Sequence, residues 1–328
     1  MDVALSQDGQ DFLRRDWTDL ALADPHGTFF QTPRYLKLYW EEFGDEASLS
    51  LALAVDGDRT VGAGAFEHQG STIRFLGGTE VTDYMGPVAV SGREPVVAVG
   101  MLEALARRED WSLGDFLGLA EDSAWIPALS EAAVAQGSSV QLEGNDVTPR
   151  LALPGTWDEY LSALPSKLRH ELKRKARKLE NDAGAYEIVI SDADRLEEDL
   201  DRFVQLHRSS EGPKGKFMQP GMEIFFRRLG EAFLEDGIFR LAFLEIGGKR
   251  IAGAIGFVFH GTFSLYNSAF DHEWRTLSPG MVLVGELIRG SIEEGCHTFD
   301  MLKGGLYYNY RFGAQPRRLL RLQISKDG

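Results

Sequence analysis

Short apolar runs separated by glycine-containing turns occur twice along the chain, once in each half. In the first half, the runs are residues 49–55, 61–67 and 72–76. In the second half, they are residues 239–246, 251–259 and 262–270. Runs of this length bounded by tight turns are typical of antiparallel strands joined by hairpins. The pattern therefore predicts a three-strand meander in each half.

The remaining segments predict helices and isolated strands. Apolar residues recur at helical spacing in residues 11–44, 94–107, 123–135, 157–164, 166–180, 196–208, 222–235 and from 278 onward. Short strand patterns are found at 115–119, 140–142, 186–190, 298–302 and 319–324. Residues 212–216, with the sequence Gly-Pro-Lys-Gly-Lys, predict a loop.

The two meanders are similar in sequence as well as in pattern. With a constant offset of 190 residues, Leu51 matches Leu241 and Val61 matches Ile251. In both halves a helix, a strand, a helix and a strand follow the meander. An internal duplication is the simplest account, and a chance similarity of independent hairpins is the alternative.

The helix after the second meander begins with Ser278-Pro279-Gly280. Serine is a favourable N-cap residue, and proline suits the first helical position. Gly280 leaves the following backbone amides bare, and amides at a helix N-terminus bind anions. The tripeptide predicts either a phosphate site or simply a well-formed helix start. Its counterpart in the first half, Gly92-Arg93-Glu94-Pro95, has a carboxylate where a phosphate would bind. We therefore expect the second half to hold the ligand.

The composition limits the classes of partner. The 328 residues include 35 Lys and Arg and 50 Asp and Glu, a net charge of −15, which argues against general binding to nucleic acid or anionic membranes. The length predicts two domains, placed at 1–150 and 151–328. There is no leader pattern and no apolar run of spanning length, so we expect a cytoplasmic protein. The single cysteine, Cys296, is interpreted as a buried thiol.

One predicted helix, residues 166–180, reverses this acidic character. It carries seven Lys or Arg and two Glu, a local charge of +5. Such a reversal predicts an anionic partner such as a nucleotide sugar, a polyprenyl-linked precursor, tRNA or CoA, and a solvated face is the ordinary alternative. Arg169, Lys173 and Arg177 flank the apolar stripe of this helix and are the candidates for acceptor contact.

The chain resembles the GNAT acyltransferase superfamily. Its order of strand, two helices, meander, helix, strand, helix and strand is similar to the GNAT fold, and a tandem pair resembles the Fem-type peptidyltransferases. The segments most similar to the branch named after the cellulose-biosynthesis protein CelD are SALPSKLRHELKRKARKLE, LAFLEIGGKRIAGAIGF, YNSAFDHEWRTLSPGMVL and FDMLKGGLYYNYRFGA. The resemblance covers most of residues 155–328, and the first half only in outline.

The resemblance implies an α+β fold of tandem GNAT folds, each a mixed, mostly antiparallel twisted sheet flanked by helices. Residues 1–150 would be a degenerate GNAT-like domain, and residues 151–328 the acyltransferase domain. An acyl-CoA, with acetyl-CoA as the first choice, would be the co-substrate. The residues that the resemblance assigns to this donor are Ser268, Ala269, Ser278, Gly280, Met281 and Arg311.

The chain departs from the family pattern at two places. Residues 275–281 form only a partial version of the pattern Arg/Gln-x-x-Gly-x-Gly/Ala, because Pro279-Gly280 replaces the paired glycines. The strand exit of the branch usually reads Phe-Asp-x-x-x-Gly-Asp-Glu-Pro-Tyr-Lys. Here the Asp, Glu, Pro and Lys are replaced by Gly305, Leu306, Tyr307 and Asn309. These departures leave open an aminoacyl-tRNA donor, as in Fem-like relatives, or an altered acceptor.

Acyl transfer from a thioester needs a polarised carbonyl, a neutral amine and a proton for the leaving thiolate. Asp300 is the candidate for the base or for orienting the amine, and capping of the next turn is its structural alternative. Lys303 is expected to neutralise a phosphate or the oxyanion. Tyr308 or Tyr310 is the candidate acid, with packing as the alternative. Arg311 is expected to clamp a phosphate, with a surface ion pair as the alternative.

The expected acceptor gate is the cationic loop that precedes Phe217, with His207 before it and Lys216 within it. Asp83 and Tyr84 of the first half are expected to reach the same interdomain cleft. We predict an N-acyltransferase that moves an acyl group from acyl-CoA to an amine of a small-molecule, sugar or peptide acceptor. The alternatives are a Fem-like aminoacyl-tRNA-dependent transferase and a non-catalytic module that binds a phosphorylated precursor. No metal-binding spacing, Walker loop or Ser-His-Asp arrangement occurs in the sequence.

Overall fold

The structure, a computed structural model, describes residues 1–24, 26–44, 49–108, 110–210, 213–304 and 308–326. The chain forms two compact units, Met1–Val147 with Arg317–Gly328, and Thr148–Pro316. The last strand therefore packs with the first unit, a long-range return that no local sequence pattern indicates. The division into domains 1–150 and 151–328 stays a prediction.

The first unit contains a mixed sheet with helices. Its helices are α1 (Gly9–Arg14), α2 (Thr18–Ala23), α3 (Pro33–Phe43), α4 (Glu94–Ala106) and α5 (Trp125–Ala135). Its strands are β1 (Asp2–Ser6), β2 (Leu49–Asp56), β3 (Arg59–Gln69), β4 (Thr72–Phe75), β5 (Val88–Ala89), β6 (Leu113–Ala120) and the late strand β13 (Gln315–Ser325). The order is β1-β2-β3-β4-β6-β13, with β5 on β3. The β4–β6 pair is parallel, and the other strand pairs described for this unit are antiparallel.

The second unit repeats this plan. Its helices are α6 (Trp157–Ala163), α7 (Ser166–Ala183), α8 (Leu196–Arg208), α9 (Pro213–Phe217), α10 (Pro220–Phe233) and α11 (Pro279–Glu293). Its strands are β8 (Tyr186–Ile190), β9 (Phe239–Ile246), β10 (Lys249–Phe259), β11 (Thr262–Phe270) and β12 (Thr298–Asp300), together with the end of β7 (Ser139–Ala152). The order is β7-β12-β11-β10-β9-β8, and β11–β12 is its parallel pair. The predicted mixed, mostly antiparallel sheets are confirmed.

The two meanders share a structural irregularity that supports the duplication. In the first unit, the pairing of β2 with β3 shifts so that Val61 has no partner in the register. In the second unit, the pairing of β9 with β10 shifts so that Ile251 has none. The sequence comparison matches these two residues with each other. Because β-bulges are position-specific features of a fold, the same bulge at matched residues is difficult to explain by independent hairpins.

Three predicted elements differ from the structure. The strand predicted at 140–142 is the start of the longer β7, and the strand predicted at 298–302 ends at Asp300. The loop predicted at 212–216 is the short helix α9, as far as its described residues show. Its Gly-Pro-Lys-Gly composition suggested a loop, but proline suits the first turn of a helix. Among the described residues, none of the helices has the length and apolar character needed to cross a bilayer.

The core of the second unit places α11 against the sheet. Buried aliphatic residues of α11, such as Leu283 and Ile288, pack with Leu244, Ile251 and Phe299 of the strands. This packing fixes the N-terminus of α11 beside the carboxyl end of β11. Cys296 is also buried in this core, and burial raises the pKa of its thiol, which agrees with its interpretation as a structural residue.

Candidate functional site

A strained turn forms the start of α11. Ser278 occupies the N-cap position with φ 56° and ψ 48°, in the left-handed region, and Pro279 is the first helical residue. The Ser278 hydroxyl does not cap the helix; it accepts a 2.7 Å hydrogen bond from Lys175 Nζ instead. The expectation that the Ser278 side chain caps α11 is therefore wrong, because a capping side chain reaches the amides from the β region of backbone space.

Gly280 provides an open amide at this helix start. The N–H groups of Met281 and Val282 donate to the Ser278 carbonyl at 3.0 and 3.3 Å. The Met281 amide therefore has a hydrogen-bond partner, whereas the sequence predicted that it would be bare. The Gly280 N–H makes no hydrogen bond to the described part of the chain. A Cβ at position 280 would lie 3.4 Å from Phe270 Cδ1 and 3.9 Å from Tyr308 Oη. The missing side chain thus leaves the amide accessible.

The basic helix α7 contributes two lysines to the same turn. Lys175 Nζ contacts Ser278 Oγ, and Lys178 Nζ donates to the Thr276 carbonyl at 3.0 Å. Glu171, one turn earlier, pairs with Arg311 at an N–O distance of 3.2 Å. These three positions lie on one face of α7, since they are three and four residues apart. Burial, followed by the nearby Arg174, lowers the pKa of Lys175. The helix start therefore has a cationic wall.

Arg169, Lys173 and Arg177, the α7 residues predicted to contact the acceptor, differ from one another in exposure. Lys173 and Arg177 are exposed. Arg169 is partly buried, and its Nη1 lies 3.4 Å from the Leu161 carbonyl at the end of α6. Lys175 and Lys178 were missed, although their spacing from Glu171 indicated a shared face. Which of these faces binds a ligand stays a prediction.

The strands beside α11 separate at the same end of the sheet. β11 and β12 are parallel neighbours for three residue pairs, ending at Ser264 and Asp300. β11 then continues to Phe270 with no strand partner on that side in the described residues. A bulge at Tyr266 interrupts its pairing with β10. One edge of β11 therefore presents backbone groups to the space that β12 leaves.

Two of the predicted donor-binding residues lie on this open part of β11. Ser268 pairs with Ala254 of β10, and Ala269 pairs with Gly253. Both follow the Tyr266 bulge and precede the turn into α11. Whether Ser268, Ala269 and Gly280 bind one donor stays a prediction.

Asp300 is buried at the end of β12, with 1% of its surface exposed. Its Oδ1 accepts a 2.8 Å hydrogen bond from the Leu302 N–H, and its Oδ2 lies 3.2 Å from Arg150 Nε. Leu302 has φ 56°, a left-handed conformation that ends the strand two residues earlier than predicted. The contacts match the turn-capping alternative for Asp300, and a role as base stays a prediction.

The segment after the strand returns to α11. Lys303 is partly buried beyond Leu302, and residues 305–307 of the altered family loop lie outside the described part of the chain. The Tyr308 ring packs edge-on against Phe312 at 5.5 Å, and its hydroxyl faces Gly280. Burial raises the pKa of Tyr308. Tyr308 therefore remains a proton donor throughout the neutral range.

The predicted acceptor residues belong to both units, and each is described within its own unit. His207 is buried in α8 between the rings of Phe203 and Phe217, at 6.1 and 5.8 Å. Lys216 of α9 is exposed. In the first unit, Tyr84 is buried with the Arg317 guanidinium 5.3 Å from its ring centre, and the neighbouring Asp83 is partly buried. Their participation in one acceptor site stays a prediction.

A comparison with family models found a match within the second unit. Residues 166–310 match the family described as "Acetyltransferase (GNAT) domain". The matched residues begin at α7 and include the α11 N-terminus, the β11–β12 separation and Tyr308. The match covers less than half of the chain, and it shows that this part is similar to a GNAT acetyltransferase domain. A search of curated proteins found no match, and the more specific CelD-like branch stays a prediction.

Solved structures with the same fold cover nearly the whole chain. One is a conserved protein of unknown function from Bacteroides thetaiotaomicron, with 12% identity, a TM-score of 0.65 and coverage of 98% of each chain. Another is FemX, with 12% identity, a TM-score of 0.64 and coverage of 98% of this chain and 97% of that one. A third is L-PGS from Bacillus licheniformis, with 14% identity, a TM-score of 0.60 and coverage of 91% and 93%. These similarities show that the chain has the same overall fold as these proteins.

Proposed function

We propose that the second unit is an N-acyltransferase that takes an acyl group from acyl-CoA, with acetyl-CoA as the first donor to test. The observation that carries this proposal is the separation of β11 from β12 directly beside the open Gly280 amide. An extended thioester fits between separating strands, where backbone groups of Ser268 and Ala269 can hydrogen-bond to it. Its phosphates then meet the positive end of α11.

The charges around the helix start suit a diphosphate. The Gly280 amide provides one hydrogen bond, and Lys175 provides positive charge beside it. Glu171 of α7 accepts a hydrogen bond from Arg311. This contact holds the Arg311 guanidinium at the same end of α7, where it can contact a phosphate. The Met281 amide already donates to the Ser278 carbonyl and cannot donate to a phosphate as well. The positive charge of Lys175 compensates for this missing hydrogen bond.

The reaction follows from these positions. The amine nitrogen of the acceptor attacks the thioester carbonyl, a carbon–nitrogen bond forms, and the carbon–sulfur bond breaks. The amine releases one proton, and the CoA thiolate takes up one. Tyr308 is the donor of that proton, because its raised pKa keeps it protonated next to Gly280. Asp300 holds the turn that positions Lys303, and Lys303 stabilises the oxyanion.

The exposed cations of α7 favour one alternative donor. Lys173, Arg174 and Arg177 point to solvent on the helix that borders the site. A row of exposed cations suits the phosphates of a nucleic acid end better than one small molecule. A Fem-like transfer from aminoacyl-tRNA is therefore the second candidate, and FemX has a similar fold. A binding module for a phosphorylated precursor is the third, and a cytoplasmic location is expected in each case.

A turnover assay separates the three candidates. The chain is incubated with acetyl-CoA and a panel of primary amines, amino sugars and short peptides, and free thiol is followed with a thiol reagent. In parallel, transfer from radiolabelled aminoacyl-tRNA to the same panel is measured. Amine-dependent thiol release supports the proposal, and tRNA-dependent transfer alone supports the Fem-like candidate. Binding of CoA without turnover of either donor supports the binding module.

A further inference from the structure

The first unit contains a cavity of its own, far along the chain from the residues of the donor site. It has a volume of about 420 Å³, which is within the range of small-molecule sites. It is bordered by the end of α3 and by strands β3, β4 and β6. The residues that matter to its chemistry are Glu67, Gln69, Arg74, Asp115, Phe43 and Leu117.

Arg74 is held at this cavity by a hydrogen bond and an ion pair. Its Nη1 donates to Gln69 Oε1 at 2.5 Å, and its Nε lies 3.6 Å from Asp115 Oδ2. Asp115 is buried, and both of its oxygens accept hydrogen bonds from Arg321, at 2.5 and 3.1 Å. Arg321 also pairs with Glu143 at 3.0 Å. The Nη2 group of Arg74 makes no hydrogen bond to the residues that the structure describes, so it can donate to a ligand in the cavity.

Glu67 provides a negative group on the same wall. It is the register partner of Arg74 across β3 and β4, so both side chains lie on one face of the sheet. Glu67 is partly buried and makes no hydrogen bond or ion pair with the described residues. Burial raises the pKa of its carboxyl, against the opposing effect of Arg74. A cross-strand pair of opposite charges normally closes on itself, and here it does not.

We infer that this cavity binds a small zwitterion of the α-amino acid type. Its carboxylate would pair with Arg74 and its ammonium with Glu67, while an apolar side chain would lie against Phe43 and Leu117. The two charges are neighbours on adjacent strands, as the ammonium and carboxylate are neighbours in an amino acid. This ligand satisfies the carboxyl of Glu67 and the free part of the Arg74 guanidinium simultaneously. The inference does not depend on acyl transfer by the second unit.

The test uses calorimetric titration of the full chain with L-leucine and L-phenylalanine, followed by two half-molecules of leucine. These are 3-methylbutylamine, which lacks the carboxylate, and 4-methylpentanoate, which lacks the amine. We expect one of the amino acids to bind and each half-molecule to bind at least tenfold more weakly. Glu67→Gln and Arg74→Gln should each weaken amino acid binding about tenfold. If Arg74→Gln does not fold, Arg74→Lys replaces it in the test, because lysine retains the positive charge.

Matched controls are available in the same unit. Glu103 and Arg107 are exposed residues at and after α4, and Glu103→Gln and Arg107→Gln make the same changes of charge away from the cavity. These variants should bind as the wild type does. The inference is overturned if neither amino acid binds in the millimolar range. It is also overturned if the half-molecules bind as tightly as the amino acid, or if Glu67→Gln binds as the control does.

Discussion

Lys175 Nζ donates a 2.7 Å hydrogen bond to Ser278 Oγ, which joins the basic helix α7 to the left-handed turn before α11. The contact explains two features of the sequence together. The positive residues of α7 lie next to the helix start at which an anion would bind. The hydroxyl of the N-cap serine accepts a hydrogen bond from a lysine instead of from an amide of the helix. The proposed anion site therefore combines two segments that are distant in the sequence.

Removal of the α7 lysines should weaken donor binding. Lys175→Ala and Lys178→Ala each remove one positive charge beside Gly280, and each should raise the Kd for CoA roughly three- to tenfold. Lys173→Ala is the matched control, because Lys173 is exposed on another face of the same helix. Calorimetric titration with CoA at two salt concentrations measures the effect. Equal losses for Lys173→Ala and Lys175→Ala would contradict this placement of the site.

A methyl group at position 280 should interfere with the ligand but not with the fold. A Cβ there meets nothing closer than 3.4 Å, and a Cβ at Gly285 of the same helix meets nothing within 4 Å. Gly→Ala at either position should stabilise α11 by about 0.5–1 kcal/mol. Thermal unfolding should thus improve for both variants, whereas CoA titration should show weaker binding for Gly280→Ala alone. Unchanged CoA binding by Gly280→Ala would remove the Gly280 amide from the site.

Tyr308→Phe should lower kcat by about 10- to 100-fold, because the reaction loses a general acid. KM should change little. Burial raises the pKa of Tyr308 above its ordinary value of 10. The phenol of the wild type therefore stays protonated between pH 8 and pH 10, and kcat should not fall in this range through ionisation of Tyr308. Above pH 10 the unfolded chain releases this proton more readily than the folded protein does, so stability should fall. Tyr310→Phe is the control, and an equal loss of kcat there would exclude the assignment.

Asp300→Asn should destabilise the second unit. The asparagine still accepts the hydrogen bond from the Leu302 N–H, but Arg150 loses its partner charge. We expect a loss of about 2–3 kcal/mol in the free energy of unfolding, below the full cost for a buried pair because Arg150 is partly exposed. Urea unfolding measures it, with the exposed Asp194→Asn as control. An unchanged unfolding free energy together with lost turnover would instead identify Asp300 as the base.

The sequence predicted the meanders because their signals are local and repeated. The matched residues Val61 and Ile251 lie at a bulge in each unit, which the sequence did not predict. The return of β13 to the first unit was not predictable, since strand pairing at long range leaves no local pattern. The early end of β12 was missed for a related reason. It depends on Asp300, Leu302 and the distant Arg150 together.

The site was predictable in its chemistry and less so in its geometry. Ser278-Pro279-Gly280 correctly located the helix start. The charge count indicated α7 but did not show which of its cations contact the turn before α11, because cations cover most of the helix and only packing decides this. The left-handed backbone of Ser278 could not be foreseen either. Serine rarely adopts it outside a context that enforces it.

Calorimetric titration of the chain with CoA and with acetyl-CoA tests the central claim most directly. The claim is that the start of α11 and the separated strands form an acyl-CoA site. It predicts saturable binding of both ligands with a Kd between about 1 µM and 1 mM, weakened by Lys175→Ala and not by Lys173→Ala. Absence of heat with both ligands, while aminoacyl-tRNA binds, would contradict it.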